Sequence, residues 1–179
     1  QTLTFIFLVL ISLNGRTQSS SLDSLRLVMP TGHSDHSESF HFTRDNNYLI
    51  SSSEDMSIIL WDLKSSKLVY KIPHKGFFSF WGNIFLKSPD DLFFTSSNSN
   101  KLYIHDLKTG KVLFVLRHSD NDEISCAIYS RCGNYIATGG DSGIINIWNG
   151  HNGELLNSFQ AHKKWLSSLS FSPDSKRLV

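Results

Sequence analysis

Three stretches of this chain carry the same motif at the same beat. Trp61-Asp62-Leu63-Lys64-Ser65-Ser66-Lys67, His105-Asp106-Leu107-Lys108-Thr109-Gly110-Lys111 and Trp148-Asn149-Gly150-His151-Asn152-Gly153-Glu154 start 44 and then 43 residues apart. A histidine keeps the same period upstream, at His33, His74, His118 and His162, with spacings of 41, 44 and 44 residues. A repeated unit of this size is one piece of supersecondary structure. It cannot bury its apolar face alone, so successive copies must stack on one another.

Within each unit, short β-rich runs alternate with turn clusters. Strands are expected at residues 25–29, 37–42, 48–53, 57–62 and 67–72, then at 91–96, 101–106 and 111–116. The order recurs at 123–129, 134–139, 144–148 and 154–159. The apolar period is two, or a short continuous run, and no stretch shows an amphipathic helix. Runs such as Leu113-Phe114-Val115-Leu116 predict strands buried on both faces. Asn152-Gly153 predicts a hairpin with a type I′ turn. Four short strands per 43–44 residues predict an all-β fold: a β-propeller of four-stranded antiparallel blades. About three and a half units are present, so the propeller is expected to be incomplete and open over this length.

Gly32-His33, Ser88-Pro89-Asp90, Ser172-Pro173-Asp174, Asp55 and Trp61-Asp62 fall in one phase. This pattern resembles the WD-repeat β-propeller family over residues 25–179. The resemblance implies a buried network in each blade that joins the histidine, a Ser/Thr on the second strand, a turn aspartate and the tryptophan. The chemistry is sound by itself. A hydroxyl can accept from an indole N–H while donating to an imidazole, and a carboxylate can hold the other ring nitrogen. By phase, the first unit carries the full set: His33, Ser51, Asp55 and Trp61. The third carries His118, Thr138 and Trp148, with Ser142 in the aspartate place and Asp141 one residue early. The second carries His74 and Thr95, with Ser99 and His105 replacing the aspartate and the tryptophan. That blade is expected to be the least well pinned. His162 opens a fourth unit.

These Ser/His/Asp sets are not read as catalytic. A triad occurs once, in a cleft with an oxyanion hole, whereas these sets recur with the repeat. No metal site is expected at His33, His36 and His41, because no flanking acid or thiol has ligand spacing. No cofactor is expected. Function should lie on the loops of a rigid scaffold. Two sets of positions are expected to share one rim: Phe77, Asn121 and Trp165, with His36, three residues after the marker histidine, and Glu54, Asn98 and Asp141 just before the acidic-turn position. Phe77, Phe78, Phe80 and Trp81 make the second unit the most aromatic part of that rim.

The net charge of +1 and the absence of a basic stripe give no case for nucleic acid. Cys126 and Cys132 lack zinc or redox spacing and are expected to be unpaired thiols. Residues 3–13 are uncharged and apolar, too short to span a bilayer and of the length of a signal-peptide core. Residues 1–17 are therefore expected to be a signal peptide and 18–24 a linker, which makes the protein periplasmic or secreted; the alternative is a cytoplasmic one. The expected function is a non-catalytic scaffold that binds a protein or peptide, its open faces being covered by further blades of a longer chain. The alternative is the docking or sensor part of a larger enzyme.

Overall fold

A computed structural model describes residues 32–73 and 84–179. The proposed signal peptide and linker, together with His74, Phe77, Phe78, Phe80 and Trp81, lie outside the described residues. No helix forms among the described residues, and hence none long and apolar enough to cross a membrane.

Among the described residues, eleven strands of six or seven residues make three antiparallel sheets. The first sheet is a meander of β1 (Ser37–Phe42), β2 (Tyr48–Ser53), β3 (Ser57–Asp62) and β4 (Lys67–Pro73). The second is β5 (Phe93–Asn98), β6 (Lys101–Asp106) and β7 (Val112–Arg117). Its inner position is taken by residues 84–88, which bridge to β5 through Lys87 and Phe94. The third is β8 (Ile124–Tyr129), β9 (Tyr135–Gly140), β10 (Ile144–Asn149) and β11 (Leu155–Gln160). A fourth unit begins where Phe171 pairs with Leu178. The sheets are separate and do not close into a barrel or ring, as an incomplete propeller requires.

Each turn type recurs with the repeat. Between the first and second strands, a hydroxyl donates to an acid two residues on: Thr43 to Asp45 at 2.6 Å, Ser88 to Asp90 at 2.5 Å and Ser172 to Asp174 at 2.6 Å. In the third unit Ser130 meets Cys132 instead, so this exposed free thiol stands in the acid's place. The residue after the acid always has positive φ: Asn46, Asp91, Gly133 and Ser175. Between the third and fourth strands, the side-chain oxygens of Asp62, Asp106 and Asn149 accept backbone N–H groups of Ser65, Thr109 and Asn152. The acid of the Trp-Asp motif is thus a local turn cap. The hairpin at Asn152-Gly153 is wider than a two-residue type I′ turn, spanning Gly150 to Glu154, and only Gly153 has positive φ, at 74°. Asn149 sets that width by capping both His151 and Asn152.

The core lies between sheets rather than within one. Ile50, Ile58 and Leu60 of the first sheet pack on Phe85, Phe94 and Leu107 of the second. Leu102, Ile104 and Leu116 of the second pack on Ile124, Ile136 and Trp148 of the third. Ala137 and Ile145 of the third pack on Leu166 and Leu169 of the fourth unit. Strands covered on both faces need apolar residues at successive positions, which explains the continuous run Ile58-Ile59-Leu60. The run Leu113-Phe114-Val115-Leu116 is not buried on both faces as expected, because β7 is an outer strand where Leu113 is exposed and only Leu116 is buried. The outermost strand β11 is exposed along its whole length.

Leu102 is fully buried between two sheets, and Val112 is half exposed on an outer strand. Leu102→Ala should therefore cost about 2–5 kcal/mol in urea denaturation. Val112→Ala should stay within about 0.5 kcal/mol.

Candidate functional site

In the first blade, Trp61 donates its indole N–H to Ser51 Oγ at 3.0 Å. Ser51 Oγ lies 2.8 Å from His33 Nε2, and His33 Nδ1 lies 3.2 Å from Asp55 Oδ1. One proton assignment satisfies every member. Ser51 accepts from the indole and donates to Nε2, leaving the Nδ1 proton for the carboxylate. Asp55 also accepts from Ser57 Oγ, Ser34 N and Lys71 Nζ. Lys71 reaches the Gly32 carbonyl as well, so it closes the network from the outer strand. Sequence phase revealed four members of this network; Ser57 and Lys71 emerge from the geometry.

The third blade repeats the relay in a drier setting. Trp148 Nε1 donates to Thr138 Oγ1 at 2.8 Å, Thr138 Oγ1 lies 2.7 Å from His118 Nε2, and His118 Nδ1 lies 2.7 Å from the acid. That acid is Asp122, which belongs to the loop before β8 and not to the hairpin where Ser142 stands. Asp122 Oδ1 accepts the backbone N–H of Ser142 at 2.7 Å. The carboxylate thus comes from the opposite partner, yet it still joins loop to hairpin. Its signal in the sequence is an acid four residues after the marker histidine.

The second blade corrects one expectation. The residue that meets the imidazole in the tryptophan place is Ser96, not Thr95. Ser96 Oγ lies 2.9 Å from His105 Nε2, and His105 Nδ1 donates to the Gly110 carbonyl at 3.1 Å. Thr95 points to the other face and ties the inner segment, accepting from Leu86 N at 2.9 Å. The reason is a shorter hairpin. Asn98 pairs with Lys101 across two residues, whereas Ser53 pairs with Ser57 across three. The two blades keep one register, with Phe94 opposite His105 as Leu49 is opposite Trp61. Counting back from the tryptophan place across the shorter hairpin therefore lands one residue short, on Thr95, whose side chain meets the other face of the strand. The shortening is legible in the spacing from the turn hydroxyl to the tryptophan place: Thr43 to Trp61 and Ser130 to Trp148 are 18 residues, and Ser88 to His105 is 17. This blade is also pinned by other means, since the His105 ring stacks on Phe94 with centroids 4.6 Å apart and planes within 9°.

His162 is exposed. The order Ser–His–Asp resembles a nucleophile relay, but Ser51 and Thr138 are buried within a strand and already accept an indole proton. Such hydroxyls fasten a blade and offer no face to a substrate.

The networks brace one end of the sheets. Glu54 N donates to the His36 carbonyl at 2.9 Å, and Asp141 N donates to the Glu123 carbonyl at 3.0 Å, so in blades one and three the hairpin lies beside the loop preceding the first strand. Ile124 N donates to the Ser99 carbonyl, which joins the second blade's hairpin to the third blade's loop. On this end Glu54 and Asn121 are exposed, Trp165 is 48% exposed, and Asn98 and Asp141 are half buried. Gly143 seals the hairpin to the next loop. Its φ is +80°, and a Cβ would lie 2.2 Å from the His162 carbonyl oxygen.

Comparison with known proteins agrees with this geometry. Residues 24–62 match the WD domain, G-beta repeat family model, and residues 87–174 match that of the anaphase-promoting complex subunit 4 WD40 domain. Apoptotic protease-activating factor 1 of Homo sapiens is 30% identical over 188 residues, covering 77% of this chain and 15% of that protein. Anaphase-promoting complex subunit cdc20 of Dictyostelium discoideum is 26% identical, covering 86% of this chain and 31% of its own length. Eukaryotic translation initiation factor 3 subunit I of Saccharomyces cerevisiae is 27% identical, covering 86% of this chain and 49% of its own length. The protein belongs to the WD-repeat family of β-propellers. The chain spans between 15% and 49% of the length of these relatives.

Acid should weaken the fold in two stages. Burial holds the His33 pKa below 6.5, against the pull of Asp55. The unfolded chain then takes up that proton first, and stability is lost as pH falls from 6.5 toward the folded value. Burial opposes ionisation of Asp122, but hydrogen bonds from Ser142 and His118 outweigh it and hold its pKa below 3.8. Asp55 is depressed in the same sense, with Ser57, Ser34 and Lys71 outweighing its burial. Their contribution is present above 3.8 and lost as pH falls below it. Urea midpoints measured against pH should show both stages. His33→Gln should flatten the upper one, and Asp122→Asn should reduce the lower one while costing about 1–3 kcal/mol at pH 7. Ser142→Ala keeps the backbone donor to Asp122 but loses the hydroxyl that accepts from Ile144 N and assists Asp122, so it should cost about 0.5–1.5 kcal/mol, less than Asp122→Asn. In the second blade, Ser96→Ala should cost about 1–3 kcal/mol by the same assay.

Proposed function

We propose that this chain is a non-catalytic scaffold whose braced rim binds a protein or peptide. WD-repeat proteins generally act as protein-interaction scaffolds. The observation that carries the reading here is the pairing of rigid loops with exposed side chains. Glu54 and Asn121 stand on loops tied to buried networks, and Trp165 offers an indole on the residue just before Leu166 of the core. A large ring with polar neighbours on a rigid support loses little entropy on binding and suits an interface anchor.

The relatives support the same class of function. Two of them are named as subunits of an anaphase-promoting complex and of a translation initiation factor. On localisation, the apolar stretch at residues 3–13 supports an exported protein, and the names of these relatives support the intracellular alternative. N-terminal mass spectrometry of the mature protein separates them: retention of residues 1–17 rules out export by cleavage.

The rim reading is tested by affinity capture from the source cells, comparing the native chain with Trp165→Ala combined with Glu54→Lys. Partners recovered with the native chain should fall at least tenfold for the double variant, with the thermal midpoint unchanged. An unchanged set of partners would place binding elsewhere.

A further inference from the structure

The rim of the first blade gathers donors that the linear spacing hides. Asp35 and His36 lie on the loop before β1, and Glu54 lies on the β2–β3 hairpin, 18 residues away from His36. One imidazole nitrogen and one oxygen from each carboxylate lie within 4.8 Å of one another. We propose that Asp35, His36 and Glu54 form a binding site for one borderline divalent cation, with zinc as the best fit. The site stands independently of the partner-binding reading.

The donor set favours this metal class. Two carboxylates alone would suit calcium or magnesium as well, but an imidazole is a poor ligand for those hard ions and a good one for zinc. No thiol takes part, which leaves cuprous ion without its preferred donor. Two ligands on one tetrahedral zinc, bound at about 2.0–2.1 Å, sit roughly 3.3 Å apart. The three donors therefore need to close by on the order of 1.5 Å, within reach of rotation about exposed side-chain bonds. All three side chains are exposed, and Asp35, whose Oδ1 accepts the backbone N–H of His36 at 2.8 Å, keeps a second carboxylate oxygen for an ion.

The backbone beneath them is already in place. Glu54 N holds the His36 carbonyl at 2.9 Å, and Ser53 Oγ holds the Asp35 carbonyl at 3.1 Å. The ordering cost of bringing the two loops together is met before any ion arrives. The local charge also calls for a cation. Lys71, the nearest base in the network, is engaged by Asp55 and the Gly32 carbonyl. Among the described residues neither Asp35 nor Glu54 forms an ion pair with a lysine or arginine. A zinc ion would neutralise both carboxylates and clamp loop to hairpin. Three protein ligands leave at least one position for water or for a carboxylate or imidazole from outside.

The test uses the full chain and zinc alone. Isothermal titration at pH 7.5 should give one ion per chain with a Kd on the order of micromolar, the range expected of an exposed three-ligand site. His36→Ala and Glu54→Gln should each weaken binding at least tenfold, with near-ultraviolet circular dichroism unchanged. His162→Ala, at another exposed histidine, and Cys132→Ser, at the exposed thiol, should leave affinity within twofold. Millimolar magnesium should not displace the zinc. Absence of one-to-one binding, equal affinity in His36→Ala, or loss of binding in Cys132→Ser would each overturn the proposal.

Discussion

In the first and third blades one buried hydroxyl does two jobs at once. Ser51 and Thr138 accept an indole proton and give their own to an imidazole. That single oxygen joins the second strand to the third and to the loop ahead of the first. The imidazole passes the link to a carboxylate, which holds the hairpin. Four segments distant in sequence are thus tied through one chain of hydrogen bonds, and no member is left unsatisfied. In a dry interior an unpaired polar atom is costly, so the network admits few alternative arrangements. The stacking of sheets and the fixed geometry of the rim loops both depend on it.

The blades meet this constraint with different residues. Asp55 reaches the imidazole from the hairpin, and Asp122 reaches it from the opposite loop. The charge is the same and so is the pair of segments joined, because each carboxylate also accepts an N–H from the other side. In the second blade Ser96 holds the same place in the sheet as Ser51 and Thr138, and His105 serves where a tryptophan stands elsewhere. Gly110 then supplies the acceptor that a carboxylate supplies in the other blades. What the repeat preserves is an uninterrupted path from donor to acceptor, not a residue list.

Much of the architecture was legible before any coordinates. The 43–44-residue beat, the period of two and the turn clusters placed every described strand within two residues. Ser51, Asp55, Trp61, Thr138 and Trp148 were placed by phase, because strands of equal length keep equal spacing. The misplacements have one physical origin. Phase assumes constant hairpin length, and a hairpin one residue shorter shifts the count from Ser96 to Thr95, a neighbour that faces the other side of the strand. Asp122 was passed over because phase looks for an acid on the hairpin, whereas the imidazole accepts one from any side. The repeat places His36 and Glu54 on one rim, but it does not show them with Asp35 as one set of donors. Ligand spacing is a local test, and these residues meet only across two loops.

The sequence by itself determined the repeat, the all-β class and the residues able to relay a proton within a blade. These follow from local rules: side-chain period, turn chemistry and the need of each apolar face for a neighbour. Tertiary structure alone decided which acid serves each histidine, which face of β5 turns toward His105, and which polar groups share the rim. Those choices depend on register and on distances between loops, and a single residue more or less in a hairpin changes them while leaving the beat intact.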